Sequence, residues 1–249
     1  MLQQTRVEAV KPYFERFMRE LPQIQDLAEC EEERLLKLWE GLGYYNRVRN
    51  MQEAAKTVMK EFDGELPSDY GELLKLKGIG SYTAGAVASI AYHQPVPAVD
   101  GNVLRVITRV TEDSSDIMKQ SVKTEIEKRL AEIIPADHAG QFNQALMELG
   151  AIVCLPNGQP LCGKCPWRSF CRARFHDKIS EIPVKTKAKA RKIQNRTVFV
   201  IRRLDKVILH KRPAKGLLAG MYEFPNVEGT LSEEEALKWI KQKNLQPLR

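Results

Sequence analysis

The sequence predicts a mainly α-helical domain over residues 1–181, a basic linker over 182–195 and the beginning of a small α+β domain over 196–249. Three observations lead there. Up to about residue 150 apolar residues recur at helical spacing, as in Val7, Val10, Phe14, Phe17 and Met18 and again in Leu35, Leu36, Leu38 and Trp39, which puts them on one face of a helix. Strand-like alternation is nearly absent from that stretch. Past Asn195 the period shortens in TVFVIRR and KVILHKR, a strand pattern.

Taken in order, the helix-sized segments are separated by turn-forming points: Pro22, GLGYYN (41–46), DGELPSD (63–69), KGIGS (77–81), Pro95 to Pro97, EDSSD (112–116) and PADHAG (135–140). Residues 182–195 are rich in Lys and poor in apolar residues, the composition of a linker. Beyond them a β-hairpin is expected around Leu204 and Asp205. LSEEEALKWIKQK reads as an amphipathic helix with Ser232 as its N-cap. One hairpin and one helix make a thin core, so this second domain is expected to be cut short.

Composition excludes several classes. With 43% apolar residues the chain can bury a core, yet no run approaches the length of a membrane span. MLQQTRVEAVKPYF carries charges where a secretion signal would be apolar. A cytoplasmic protein is expected. The net charge of +7 is concentrated: from Lys164 to Arg196 eleven basic residues face only Asp177 and Glu181. Such a block suits a polyphosphate partner, through release of condensed counterions, or equally a solubilising linker.

The most informative stretch is LKGIGSYTAGAVASIAY, residues 76–92. Gly78 and Gly80 allow a tight turn that can approach a phosphate, and a helix beginning near Ser81 points its free N–H groups the same way. Alone this is an ordinary helix–helix turn. Twenty residues on, PVPAVDGNVLRVITR sets Asp100 between a Pro-punctuated entry and a helix starting near Asn102, where it serves as an N-cap or as a catalytic carboxylate. The hairpin and the aspartate together are the signature of the superfamily named for its hairpin, Gly/Pro-rich loop and aspartate.

Four of the five cysteines, Cys154, Cys162, Cys165 and Cys171, run as C-x7-C-x2-C-x5-C. In a reducing compartment this spacing points to a metal site rather than disulfides, and leaves zinc and an iron–sulfur cluster both open. Cys30 stands apart in AECEEERLL, a helix-cap or packing residue.

MLQQTRVEAVKPYFERF, WEGLGYYNRVRN, LKGIGSYTAGAVASIAY, AVDGNVLRV, FNQALMELGAIVC, the cysteine cluster and KGLLAGMYEFP together resemble the MutY-type adenine DNA glycosylases, in that family's order and over essentially the whole chain. The resemblance implies a helix-hairpin-helix glycosylase domain with a [4Fe-4S] cluster on Cys154, Cys162, Cys165 and Cys171, followed by part of a Nudix-like domain. The cluster would position a loop on DNA. Where that family usually has six residues, often basic, between its first two cysteines, this sequence has the seven uncharged residues LPNGQPL.

The implied reaction is hydrolysis of the N-glycosidic bond of an adenine flipped out of duplex DNA, opposite 8-oxoguanine or guanine, by a nucleoid-associated monomer. It calls for a carboxylate and a proton donor in separate roles. By resemblance Asp100 is the carboxylate, Tyr82 and Asn102 are its pocket neighbours, Glu148 contacts the adenine, and Leu2 and Val7 form the pocket wall. Gln4, Thr5, Leu42 and Tyr44 would meet the opposite base, with Tyr44 as a wedge and Tyr45 as packing. Lys77 would contact phosphate beside Gly78 and Gly80. Related endonuclease-III-like glycosylase/lyases carry a Schiff-base lysine where Tyr82 stands, so the resemblance implies a monofunctional enzyme.

The family pattern also places its general-acid glutamate two positions before the methionine of MLQQT, and extends its Nudix-like part past Arg249. A chain truncated at both ends is therefore expected. The alternative reading is a DNA-binding module without the acid.

Overall fold

The computed structural model describes residues 1, 5, 7–186 and 190–247. Contacts divide the chain into two units, Met1–Lys187 and Ala188–Arg249. The first is built from helices α1 (Val7–Glu20), α2 (Ile24–Glu29), α3 (Glu32–Trp39), α4 (Asn46–Glu61), α5 (Tyr70–Lys75), α6 (Ser81–Ile90), α7 (Gly101–Thr111), α8 (Gln120–Ile133), α9 (Ala139–Glu148) and α10 (Arg172–Phe175). Among the described residues no helix is long and apolar enough to cross a membrane.

The apolar stripes read from the sequence build three cores. Val10 and Phe17 of α1 meet Leu35 and Trp39 of α3 and Val48 of α4. The other face of α4, through Ala54 and Val58, closes on Leu73, Leu76, Ala84 and Ala88. Val99, Val103 and Val106 pack with Ile126 and Leu130 of α8 and Leu146 of α9. Of the stripe read on α1, Val10 and Phe17 are buried, while Val7, Phe14 and Met18 stay exposed along an open cavity.

Helix α6 presents small residues on its buried side, Ala84, Gly85, Ala88 and Ser89. A Cβ at Gly85 would come within 2.2 Å of the Pro97 carbonyl oxygen, so the loop that leads to Asp100 lies directly on this helix. Asn143, fully buried on α9, secures the same loop. Its Oδ1 accepts from the Ala98 amide at 2.9 Å, and its Nδ2 donates to the Val96 carbonyl at 2.9 Å and to Ser89 Oγ at 2.8 Å.

In the second unit β1 (Arg196–Val198) pairs antiparallel with β6 (Asn226–Glu228), β2 (Arg202–Arg203) with β3 (Lys206–Val207), and β4 (His210–Lys211) with β5 (Tyr222–Glu223). The hairpin expected around Leu204 and Asp205 forms, but only Arg202↔Val207 and Arg203↔Lys206 pair across it. Its flanks find other partners, Thr197↔Val227 and His210↔Glu223. Periodicity marks a strand without choosing its neighbour. Ser232 caps α11 (Glu233–Gln242) in a reciprocal pair with Glu235, and Trp239 of that helix stacks on Phe199 at 3.8 Å.

Candidate active site and cysteine centre

The hairpin is set by Gly78, whose φ of +80° lies in the left-handed region and whose Cβ, if present, would meet Asn50 Cβ at 2.6 Å. Only glycine satisfies both conditions. Gly80 is the N-cap of α6 with open space beside it, so the first amides of the helix lie beside a free approach.

Asp100 is the N-cap of α7. One carboxylate oxygen accepts from the amides of Asn102 and Val103, both at 2.8 Å, and the other from Asn102 Nδ2 at 2.8 Å. Capping and chemistry are thus compatible: the cap holds the carboxylate in one orientation at the N-terminus of the helix. Tyr82, in the first turn of α6, has its phenol pushed above the ordinary value by burial and then by the charge of Asp100. Its hydroxyl lies 3.5 Å from Met147 Sδ.

Asn102 is held from two further sides. Gly150, in the π-helical turn Leu149–Val153 after α9, packs so closely that a Cβ there would meet Asn102 Cβ at 2.6 Å. Arg105, 3% exposed, donates to Asn102 Oδ1 at 2.9 Å, to the Gly150 carbonyl at 2.7 Å and to the Cys154 carbonyl at 2.7 Å. One helical turn on, Arg109 donates from Nη1 to Cys154 Sγ at 3.3 Å. Neither arginine was singled out from the sequence. The signal available was two arginines one turn apart in an otherwise apolar stretch of α7, a position where a charge is buried only when its donors are satisfied.

Cys154, Cys162, Cys165 and Cys171 border one cavity, with Val106, Trp167 and other apolar side chains around them. Burial, and then the neighbouring cysteines, push the Cys162 thiol up, against the opposing pull of Arg109 and Arg174. Cys171 is raised chiefly by burial. Among the described residues no three His, Cys, Asp or Glu side chains converge as a group for a single metal ion. The donor set is nevertheless four thiols around a shared hollow beside a buried guanidinium, which fits a thiolate-bound cofactor.

A separate open cavity of about 830 Å³ brings Val7, Lys77 and Tyr82 together with Met1, Phe14 and Trp39. Asp100, Asn102 and Glu148 are not in its lining. Glu148 is exposed at the end of α9, two residues before the Gly150 that packs on Asn102.

In the GLGYYN turn Tyr44 adopts a φ of +51° and is 66% exposed. Tyr45 packs against the first core. Leu42, expected at the opposite base, is 8% exposed and packs in that core, because it follows Trp39 by one turn and continues its buried face. Arg47 secures this turn: it donates to the carbonyls of Leu42 and Gly43 at 3.3 Å and approaches Thr5 Oγ1 at 3.4 Å, with its guanidinium over the rings of Trp39 and Tyr44. Leu2 and Gln4 lie outside the described residues, as do Lys187 and Lys189 of the basic block.

Residues 182–186, the opening of the stretch read as a linker, are tied to the first unit. The Ile182 carbonyl accepts from Arg109 at 2.7 Å, the Val184 carbonyl from the Ile117 amide at 3.1 Å, and the Thr186 amide donates to Asp116 at 3.1 Å.

Comparison with known proteins agrees with this geometry. Residues 1–135, more than half of the chain, match the family described as HhH-GPD superfamily base excision DNA repair protein, and residues 197–249 match the NUDIX domain. An adenine DNA glycosylase of Arabidopsis thaliana is 39% identical over 94% of this chain, which spans 42% of that protein. One from Buchnera aphidicola subsp. Baizongia pistaciae is 35% identical over 98% of this chain and is spanned over 68% of its length. Among solved structures, a trapped endonuclease III–DNA covalent intermediate aligns with a TM-score of 0.61 at 29% identity, covering 71% of this chain and 81% of that one. The chain belongs to the adenine DNA glycosylases of the HhH-GPD superfamily of base excision DNA repair proteins.

Proposed function

We propose that this protein hydrolyses the N-glycosidic bond of adenine opposite 8-oxoguanine or guanine in duplex DNA, without lyase chemistry. The observation that carries the reading is the cap of α7: Asp100 is oriented by Asn102 and Val103, and Tyr82 at the mouth of the hairpin lies within its field. A carboxylate in this place opposes the positive charge that develops on the sugar as the base departs. Departure also needs a proton on the adenine, from a group other than Asp100. Met1, Val7 and Tyr82 line one cavity in which such a donor would act.

Tyr82 has no amine with which to form a Schiff base, and its raised phenol stays protonated at neutral pH. The open approach at Gly80 and the amides of α6 suit a DNA phosphate, with Lys77 beside them. Tyr44, exposed on a turn braced by Arg47, suits a wedge in the base stack, with Thr5 nearby; Glu148 and Val7 remain assigned to the adenine by resemblance.

Cys154, Cys162, Cys165 and Cys171 would hold a [4Fe-4S] cluster. A cluster held by them would fix the segment that carries the basic residues Arg168, Arg172 and Arg174, which suit DNA phosphates.

The test is adenine release from duplexes containing A:8-oxoguanine, A:G and A:T, with borohydride present in a parallel reaction. Release from the first two, with no stoichiometric covalent trapping, is expected. Efficient trapping that survives replacement of other lysines would place the protein among glycosylase/lyases. Specific binding without release would leave a DNA-binding module.

A further inference from the structure

Helix α7 carries a buried cation that the glycosidic chemistry does not use. Arg109 is 5% exposed, and its donors go to three acceptors around the cysteine loop. Nη1 reaches Cys154 Sγ at 3.3 Å and the Leu155 carbonyl at 3.1 Å, and Nε reaches the Ile182 carbonyl at 2.7 Å. The backbone carbonyl of Arg109 in turn lies 3.6 Å from Cys171 Sγ. Leu155 follows the first cysteine directly and Ile182 lies beyond the last. One side chain therefore closes the loop at both ends.

The electrostatics point the same way. A guanidinium keeps its proton in proteins, and a buried charge without a counter-charge is strongly destabilising. Arg105 has the charge of Asp100 acting on it. Arg109 has no carboxylate in ion-pair range among the described residues. What it faces instead is the cavity bordered by Cys154, Cys162, Cys165 and Cys171. Neutral thiols leave its charge unanswered, whereas thiolates that ligate a cluster supply the anion.

We propose that Arg109 is a positioning residue of the cysteine centre: its guanidinium is a counter-charge of the thiolate-bound cluster and a clasp across both ends of the loop that carries it. It thereby sets how firmly iron is held and at what potential the centre is reduced. The inference rests on the reading of the four cysteines as cluster ligands.

Purified wild-type holoprotein, Arg109→Gln and Arg109→Lys are compared for iron and sulfide content, for loss of visible absorbance in excess ferrous chelator, and for midpoint potential by voltammetry. Circular dichroism checks the fold. Loss of an outer-sphere partner weakens metal sites by about 10- to 100-fold, and a faster release of that order is expected for Arg109→Gln. Its midpoint should move to more negative potential, since a cation near the centre favours the added electron. Arg109→Lys keeps the charge but cannot reach all three acceptors, so its midpoint should stay near wild type while release remains fast.

A folded Arg109→Gln protein with wild-type release and midpoint overturns the proposal. Should that variant not fold, Arg109→Lys decides: wild-type release removes the clasp, and a midpoint well below wild type removes the counter-charge. Wild-type protein that contains zinc, or neither iron nor sulfide, overturns the cluster reading and the proposal with it. A normal cluster with unresponsive variants overturns the proposal alone.

Discussion

Arg105 donates to Asn102 Oδ1 at 2.9 Å while its Nε donates to the Cys154 carbonyl at 2.7 Å, so the residue two positions after Asp100 and the first cysteine of the cysteine loop share one buried side chain. Asn102 in turn donates to Asp100 at 2.8 Å. The orientation of the carboxylate is therefore coupled through three hydrogen bonds to the placement of a loop that begins about fifty residues later in the sequence.

Arg105→Gln is expected to shorten that bridge and release Asn102. Leaving the Cys154 and Gly150 carbonyls without their donor costs about 1–3 kcal/mol for an unsatisfied buried group. Misplacement of the carboxylate by an ångström should slow adenine release on the order of 10²-fold. Thermal melting and single-turnover release read the two effects separately. Unchanged release in a protein with lowered melting would show that Arg105 supports the fold alone.

Asp100→Asn keeps an oxygen for the amides of Asn102 and Val103, so the cap and the fold should survive. Asp100→Ala should lose about 1 kcal/mol of stability as the cap is removed. Both are expected to abolish most adenine release while duplex binding persists. If Asp100→Asn were folded and failed to bind DNA, the aspartate would belong to the binding surface.

Tyr44 is 66% exposed, so Tyr44→Ala should leave melting within about 0.5 kcal/mol of wild type. Aromatic stacking on a base is worth about 1–3 kcal/mol, and mispair binding should weaken accordingly. Fluorescence of a 2-aminopurine placed beside the mispair reports the unstacking directly. An unaltered signal would remove the wedge.

Glu112, the left-handed C-cap of α7, accepts from Lys178 Nζ at 2.7 Å and pairs with His176. The bond to Lys178, then that to His176, pulls its carboxyl from the ordinary 4.5 to about 2. A carboxyl whose folded pKa is lowered contributes its full stability above the ordinary value and loses it as pH falls through the folded one. Wild type should therefore lose stability between about pH 5 and pH 2 more steeply than Glu112→Gln, measured by urea unfolding across that window. Parallel curves would show that the ion pairs add nothing to the fold.

The order of helices and turns, the hairpin, the cap at Asp100 and the grouping of four cysteines were legible in the chain because each is local. A stripe of apolar residues, a glycine turn or a Ser before a helix acts within a few residues of itself. The resemblance added the identity of the chemistry to those positions. What no local pattern could reveal is which distant groups each buried donor meets. The hairpin flanks chose β6 and β5 rather than each other, Leu42 turned into the core that Trp39 had begun, and Arg105 and Arg109 found carbonyls and a sulfur far along the chain. Those pairings belong to tertiary structure, since a buried polar group takes whatever partner packing brings within about 3 Å and pays heavily for none.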